Sequence, residues 1–104
     1  MGNFELKRKR THPGEILKED FMAPLKLTQT ELAKALKTSF RTINEILNEK
    51  RSISPEMALR IARYLGTLPD VWLRLQVDYD LFKAKVKTKK LIEGIKLLAG
   101  EKAA

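Results

Sequence analysis

Apolar positions recur at helical spacing along most of the chain, and the clearest example is the stretch LTQTELAKALKTSFRTINEILN from Leu27 to Asn48. Thr28 is a good N-cap, and Glu31 three residues later can return a bond to its backbone, so the pair forms a capping box. A helix is therefore predicted to begin here. Its apolar face consists of Leu32, Ala33 and Leu36.

A second short helix is predicted directly after the first. Lys37, Thr38 and Ser39 interrupt the apolar pattern and supply new capping hydroxyls. The apolar face of this helix is Ile43, Ile46 and Leu47, and its outer face carries Arg41, Asn44, Glu45 and Asn48. Two short helices joined by a tight turn, the second with a polar outer face, indicate a helix-turn-helix.

One more helix is predicted before this motif. Pro13 suits the first helical position, Glu15 suits the positive end of the helix dipole, and His12 then occupies the cap. No nucleophile pattern accompanies His12, so a capping role is favoured over a catalytic one. The core stripe is Ile16, Leu17 and Phe21. Pro24 should end this helix, because proline is not tolerated in a helix interior.

Two helices are predicted after the motif. Ser54 and Pro55 indicate the start of the fourth helix and Gly66 its end. Its apolar stripe is Met57, Ala58, Ile61, Ala62 and Leu65. Thr67, Pro69 and Asp70 indicate the start of the fifth, in which Val71, Trp72, Leu75 and Tyr79 fall at helical spacing.

The predicted fold is all-α. It consists of a five-helix DNA-binding domain over residues 12–82, with the motif at 28–48, a flexible basic arm at 1–11 and a basic amphipathic tail at 83–104. Five lysines interrupt the apolar pattern between Lys83 and Lys90. After them, one face of a short helix ending at Gly100 is predicted from Leu91, Ile92, Ile95, Leu98 and Ala99. This tail could lie on DNA, fold back on the domain, pair with a second copy or dock into another protein.

Charge favours a polyanionic partner. The 104 residues carry a net charge of +8, and residues 81–104 alone contain seven lysines against two acidic side chains. Such an excess binds nucleic acid through counterion release without specifying sequence. In the arm, Lys7, Arg8, Lys9 and Arg10 are equally well interpreted as phosphate contacts or as solvated charge.

Other classes of protein are disfavoured. The chain has no cysteine and a single histidine, so a disulfide framework and a thiolate metal site are excluded and no cofactor is expected. It contains no G-x-S-x-G motif and no P-loop, so an enzyme is not expected. No apolar run approaches the ~20 residues that span a bilayer, the N-terminus lacks the apolar segment of a signal peptide, and the tail's apolar face is too short for stable membrane anchoring. A cytoplasmic location is expected.

The outer face of the second motif helix has the chemistry of base reading. Arg41 can fork to guanine O6 and N7, Asn44 can pair with adenine N6 and N7, and Glu45 could accept from cytosine N4. Ordinary solvated residues on a surface helix are the alternative interpretation.

Phosphate contacts are expected at the two helix starts, because helix N-termini attract anions. The residues concerned are Thr28, Thr38 and Ser39. Lys50 and Arg51 follow the second helix, where a phosphate contact and a solvated loop are about equally expected.

The fifth helix has more large apolar residues than one face can hold. Trp72 is expected in the core, whereas Leu73, Val77 and Leu81 are candidates for a dimer or partner contact. Helix-turn-helix proteins commonly bind as two-fold dimers with recognition helices about 34 Å apart.

The chain resembles a known family from about His12 to Leu81. The resemblance rests on HPGEILKEDF, LTQTELAKAL, RTINEILNEKRSISPEMALRIARYLGT and PDVWLRLQVDYDL, which are similar to the HigA/VapI type of lambda-repressor-like (XRE) regulators. It implies a bacterial type II antitoxin that neutralises a small HigB-like ribonuclease toxin and, as a dimer, represses the operon encoding both. It further implies that Gln29 touches a phosphate, that Phe40, Arg41 and Asn44 lie at base-reading positions, and that Thr42 and Asn48 lie near the DNA backbone.

The sequence departs from the family pattern at Glu49, where a glycine is usual, and in the lysine-rich end beyond Leu81. HigB-like toxins tend to be basic, which fits a +8 partner poorly. A solitary regulator without a toxin therefore remains an alternative, as does a protein-interaction module. A module of that kind would need nothing from Arg41 or Asn44.

Overall fold

The described part of the chain, residues 11–99 of a computed structural model, contains no strand and six helices that begin and end within it, and Leu98 and Ala99 are also helical. Helix α1 comprises three consecutive segments, Pro13–Ile16, Leu17–Met22 and Ala23–Leu25. The remaining helices are α2 (Gln29–Ala35), α3 (Phe40–Leu47), α4 (Pro55–Leu65), α5 (Pro69–Lys87) and α6 (Lys89–Glu93). The prediction of an all-α fold is confirmed.

Most helix starts follow the local capping signals of the sequence. His12 Nδ1 accepts a bond from Gly14 N at 2.9 Å. Thr28 accepts from Glu31 N at 3.0 Å while the Glu31 carboxylate accepts from Thr28 N at 2.9 Å, which completes the capping box. The hydroxyl of Ser39 caps α3 by accepting from Thr42 N, and that of Ser54 caps α4 by accepting from Met57 N.

Four helix ends place a residue in the left-handed region. Gly66 does so with φ +75°, as the sequence predicts, but Lys26, Lys37 and Glu49 also have φ between 56° and 63°. After each of these three, a backbone N–H bonds back across the last turn, as in Lys50 N to Glu45 O at 2.8 Å. The turn after α3 therefore keeps the conformation that suits glycine although Glu49 occupies it.

Helix α1 does not end at Pro24, so that prediction is wrong. Residues Leu17–Met22 form a π-helical segment, and Ala23 N–H donates to Lys18 O five residues back. The backbone hydrogen bonds have therefore already shifted from four residues back to five before Pro24, which has no N–H to donate. The helix continues through the proline to Leu25.

The core lies where all five domain helices meet. Leu17, Leu32, Ile43, Ile46, Ile61 and Trp72 are completely buried. Trp72 is therefore a core residue, as predicted, and its indole Nε1 donates to Thr67 Oγ1 at 2.8 Å. Leu68 occupies the N-cap of α5 without a side-chain bond, and the hydroxyl of Thr67 accepts from the buried indole.

Gly14 sets the approach of α1 to α3. A Cβ added to this residue would overlap the carbonyl oxygen of Ile46 and lie 2.9 Å from its carbonyl carbon. Only a residue without a side chain allows the first turn of α1 to pack this closely against the end of α3. The HPGE sequence thus fixes the position of the second motif helix in the domain.

The C-terminal end differs from the prediction in two ways. Helix α5 continues through the lysines to Lys87, because lysine is a good helix former; at Thr88 the hydroxyl bonds to Ala84 O at 2.6 Å. The predicted short helix from Leu91 to Ala99 is wrong, since α6 ends at Glu93 with Gly94 as its cap. This segment's apolar side chains, 55–73% exposed, gain no core contact that would stabilise a longer helix. Residues 1–10 of the predicted arm, including Lys7 to Arg10, lie outside the described residues, as does Gly100.

Candidate nucleic-acid interface

Helix α3 buries one face and leaves the other open to solvent. Ile43 and Ile46 are completely buried and Leu47 nearly so, whereas Phe40 is 52% exposed and the Arg41 side chain 85% exposed. Asn44 and Glu45 are half-buried between these extremes. The predicted helix-turn-helix over 28–48 is thus formed by α2, the turn at Lys37 and α3.

One hydrogen-bonded chain of amides crosses this face. Asn48 Nδ2 donates to Asn44 Oδ1 at 3.1 Å, and Asn44 Nδ2 donates to Gln29 Oε1 at 3.0 Å. Gln29 is the first residue of α2, so the chain links the start of one motif helix to the outer face of the other. Both polar atoms of Asn44 are oriented by the protein before any ligand arrives.

A second network is ionic. Arg41 Nε donates to Glu45 Oε2 at 3.1 Å, and Arg51 Nε donates to Glu45 Oε1 at 2.9 Å. The Arg51 Nη2 lies 2.8 Å from the same oxygen. These hydrogen bonds, that from Arg51 first and that from Arg41 second, lower the pKa of the Glu45 carboxyl. Glu45 is therefore a carboxylate between two guanidinium groups.

The phosphate-contact candidates lie at the starts of both motif helices, at the turn between them and at the end of α3. Thr28 and Ser39 are the N-caps of α2 and α3, and both are exposed. The Ser39 and Thr42 hydroxyls are 2.9 Å apart and Thr42 N donates to Ser39, so these two groups form one cluster at the start of α3. Thr38, at the turn, is half-buried. Asn48 caps the end of α3, and the side chains of Lys50 and Arg51 are exposed just beyond it.

Sequence reasoning missed the side chain that holds the segment after α3. Gln76 is 5% exposed, its Oε1 accepts from Ile53 N at 2.9 Å, and its Nε2 donates to Asp80 Oδ1 at 3.0 Å. This amide fixes the return of the chain from α3 toward α4. The signal available in the sequence was a polar residue on the buried stripe of α5, between Trp72 and Tyr79.

His12 is buried at the start of α1, against the fifth helix. Its ring is 3% exposed and contacts Tyr79 edge to face with centroids 4.8 Å apart. Burial lowers the pKa of His12 from its ordinary 6.5, with opposing contributions from Glu49 and Asp80. Because Nδ1 must be unprotonated to accept from Gly14, the neutral ring is the capping form.

The dimer candidates lie together on α5. Leu73 is half-buried against the core, whereas Val77 and Leu81 are 53% and 52% exposed. Their spacing of four residues puts them on one face of the helix. This surface belongs to a different helix from the base-reading candidates.

Residues 11–99 contain neither a candidate metal site nor a candidate membrane-spanning helix. No group of three or more histidine or acidic side chains is placed to hold a metal ion. None of the helices in this range is long and apolar enough to cross a membrane.

Comparison with known proteins places this geometry in a family. A helix-turn-helix family model matches residues 17–73. Virulence-associated protein I of Dichelobacter nodosus is 47% identical over 74 residues, which cover 71% of this chain and 68% of that protein. Antitoxin HigA-1 of Vibrio cholerae is 32% identical over 79 residues, covering 76% and 74%. The structure of Pseudomonas aeruginosa antitoxin HigA with the higBA promoter superposes with a TM-score of 0.82 at 40% identity, covering 86% of this chain and 98% of that one.

Proposed function

Because the chain belongs to the helix-turn-helix family of transcription regulators that includes antitoxin HigA and virulence-associated protein I, which are not enzymes, we propose that it represses its own operon. In this proposal two copies bind an operator upstream of the gene, and the protein also neutralises a small ribonuclease toxin encoded beside it. The observation that carries the DNA-binding part is the outer face of α3, where an 85% exposed arginine stands beside an amide held in place by Gln29.

Base reading is assigned to the exposed end of α3. Arg41 has its two terminal nitrogens available for guanine O6 and N7, which is the commonest specific contact in the major groove. Asn44 would keep its bonds to Gln29 and Asn48 and use the second N–H of Nδ2 and the second lone pair of Oδ1 for the acceptor and donor of adenine. Phe40 offers an exposed ring at the start of the helix, suited to a thymine methyl group.

Phosphate contacts would be made on either side of the base-reading residues of α3. The caps Thr28 and Ser39 each start a motif helix, where the N–H groups and the helix dipole favour an anion. Gln29 keeps its Nε2 as a donor while its oxygen holds Asn44. Further contacts of this kind are proposed for Thr38, Thr42, Asn48, Lys50 and Arg51.

The dimer would form through the exposed apolar face of α5. Val77 and Leu81 are each about half exposed next to the partly buried Leu73, which gives a continuous apolar strip. A two-fold pair through this strip would present two copies of α3 to successive major grooves. Val77→Asp should convert the dimer to a monomer in sedimentation equilibrium, with Val86→Asp, beyond the strip and 67% exposed, as the matched control.

Substitutions that separate base from phosphate contacts test the DNA-binding proposal. Arg41→Ala should lower the preference for the upstream duplex over a scrambled one by about 5- to 150-fold, the equivalent of 1–3 kcal/mol. Lys50→Ala should weaken both duplexes alike and reduce the salt slope by about one. If Arg41→Ala also weakened binding to both duplexes by the same factor, the assignment of Arg41 to base reading would be contradicted.

The antitoxin part is tested in cells. The product of the adjacent gene is expressed alone and together with this chain, and growth and intact mRNA are followed. Rescue of growth by co-expression, with a complex of the two proteins on size exclusion, supports toxin neutralisation. The charge of the chain favours the second candidate, a solitary repressor, because a basic toxin would meet seven lysines in residues 81–104. A non-toxic neighbour together with operator binding would establish that candidate instead.

A further inference from the structure

Arg41 contacts Glu45 through only one of its three guanidinium nitrogens. The Nε–H donates to Oε2 at 3.1 Å, and the terminal Nη1 and Nη2 make no hydrogen bond within residues 11–99. The pair therefore holds the planar group at its inner edge and leaves the outer fork open. A guanine needs two donors in one plane, and this fork supplies them.

Glu45 is itself fixed from its other side. Arg51 donates its Nε–H to Oε1 at 2.9 Å and brings Nη2 to 2.8 Å of the same oxygen. Only 25% of the Glu45 side chain is exposed, against 85% for that of Arg41. The carboxylate is thus a partly buried brace, whereas the arginine it holds reaches into solvent.

From this geometry we infer that Glu45 is a positioning residue that orients Arg41 for a base edge, with Arg51 anchoring the brace, rather than a group that reads cytosine itself. The inference rests on the proposed function, because it deepens the account of how the outer face of α3 reads an operator. It assigns the reading of one guanine to a three-residue unit, Arg41, Glu45 and Arg51, of which only Arg41 touches the base.

Two opposing effects of the carboxylate follow. An arginine already held near its bound orientation loses less rotamer freedom when it meets guanine, so the brace favours the correct site. A negative charge near the DNA backbone also repels phosphates, so the same group weakens binding to every duplex. Glu45 should therefore lower affinity in general while raising the preference for the operator.

A double-mutant cycle tests the inference. Binding of the full chain, its Glu45→Gln and Arg41→Ala variants and the double variant is titrated against the duplex upstream of the gene and a scrambled duplex. Glu56→Gln is the charge-matched control, because Glu56 forms an i,i+4 pair on α4 with the Nη2 of Arg60 at 2.6 Å. The bonds from Arg60 to the carbonyls of the turn at Lys37 come from Nη1 and are not part of this pair. A thermal melt of each variant checks that the fold is kept.

The expected result couples the two residues. Glu45→Gln should lower the operator preference about tenfold in the native background and less than about twofold when Arg41 is already alanine. It should also tighten binding to the scrambled duplex and steepen its salt slope by about one. Glu56→Gln should leave the operator preference unchanged.

Three outcomes would overturn the inference. If Glu45→Gln still lowers the operator preference when Arg41 is alanine, Glu45 reads a C·G pair of its own and is a base reader. If Glu45→Gln leaves the operator preference unchanged, the ion pairs of Glu45 contribute nothing to base reading. A loss matched by Glu56→Gln would assign the effect to net charge. If the native protein itself shows no preference for the upstream duplex, the proposed function fails first, and that result is distinct from all three.

Discussion

Gly14→Ala tests how the close packing of α1 fixes the position of α3, the second helix of the motif. The new Cβ would overlap the Ile46 carbonyl oxygen and come within 2.9 Å of its carbon and 3.0 Å of His12 Nδ1. Two of these atoms are backbone and the third belongs to the capping ring, so relief requires α1 to move away from α3.

The magnitude follows from two contributions. Overpacking of a tight contact costs about 1–3 kcal/mol, and a strained His12 cap forfeits part of a hydrogen bond worth about 1 kcal/mol. Alanine recovers at most about 1 kcal/mol of helix propensity. A net loss of about 2 kcal/mol is expected, which lowers the melting temperature of a domain this size by roughly 8–16 °C.

Urea and thermal unfolding followed by circular dichroism measure the effect, and two other glycines calibrate it. Gly94→Ala meets nothing closer than 3.4 Å and should be nearly neutral. Gly66→Ala meets no atom within 4 Å but has φ +75°, so it should cost about 1 kcal/mol through backbone strain alone. A Gly14→Ala protein as stable as the Gly94→Ala protein would refute the close packing of α1 on α3.

Three further predictions concern single side chains. The folded pKa of His12 is lowered, so its capping contribution should be complete above pH 6.5 and lost as pH falls through the folded value; urea unfolding at several pH values should show this slope, and His12→Asn, which caps at any pH, should abolish it. Gln76→Leu leaves Ile53 N buried without its acceptor and should cost about 1–3 kcal/mol in the same assay, whereas an unchanged midpoint would mean that this bond is dispensable. Glu49→Gly should not destabilise, and should gain up to about 1 kcal/mol, because φ +63° suits glycine; a clear loss would show that the glutamate contributes more than its backbone strain costs.

The parts of the fold that the sequence predicts are those decided between near neighbours. The capping box of Thr28 and Glu31, the Ser39 cap and the glycine end at Gly66 each depend on residues within one turn. The same holds for the buried and exposed faces of α3, since 3.6-residue periodicity separates them before any tertiary contact is known.

The parts that escaped prediction depend on contacts between distant residues. Gly14 meets the end of α3 across 32 positions, and Gln76 reaches Ile53 across 23. The ion pair between Arg51 and Glu45 was likewise not predicted, because the sequence shows two charges but not the turn that brings them together. The break at Gly94 was missed for the opposite reason: the apolar spacing suggested a helix, but no core is present to stabilise it.

The proposed repression depends on this chain reading a particular DNA sequence through α3. The most direct measurement is a titration of the native protein with labelled duplex from immediately upstream of its own gene and with a scrambled duplex, at near-physiological salt. At least ~10³-fold tighter binding to the native sequence is expected, and Arg41→Ala should lower this preference by about 5- to 150-fold. Equally weak binding to both duplexes with a steep salt dependence would mean that the net charge of +8 alone is responsible, and would contradict the proposed repression.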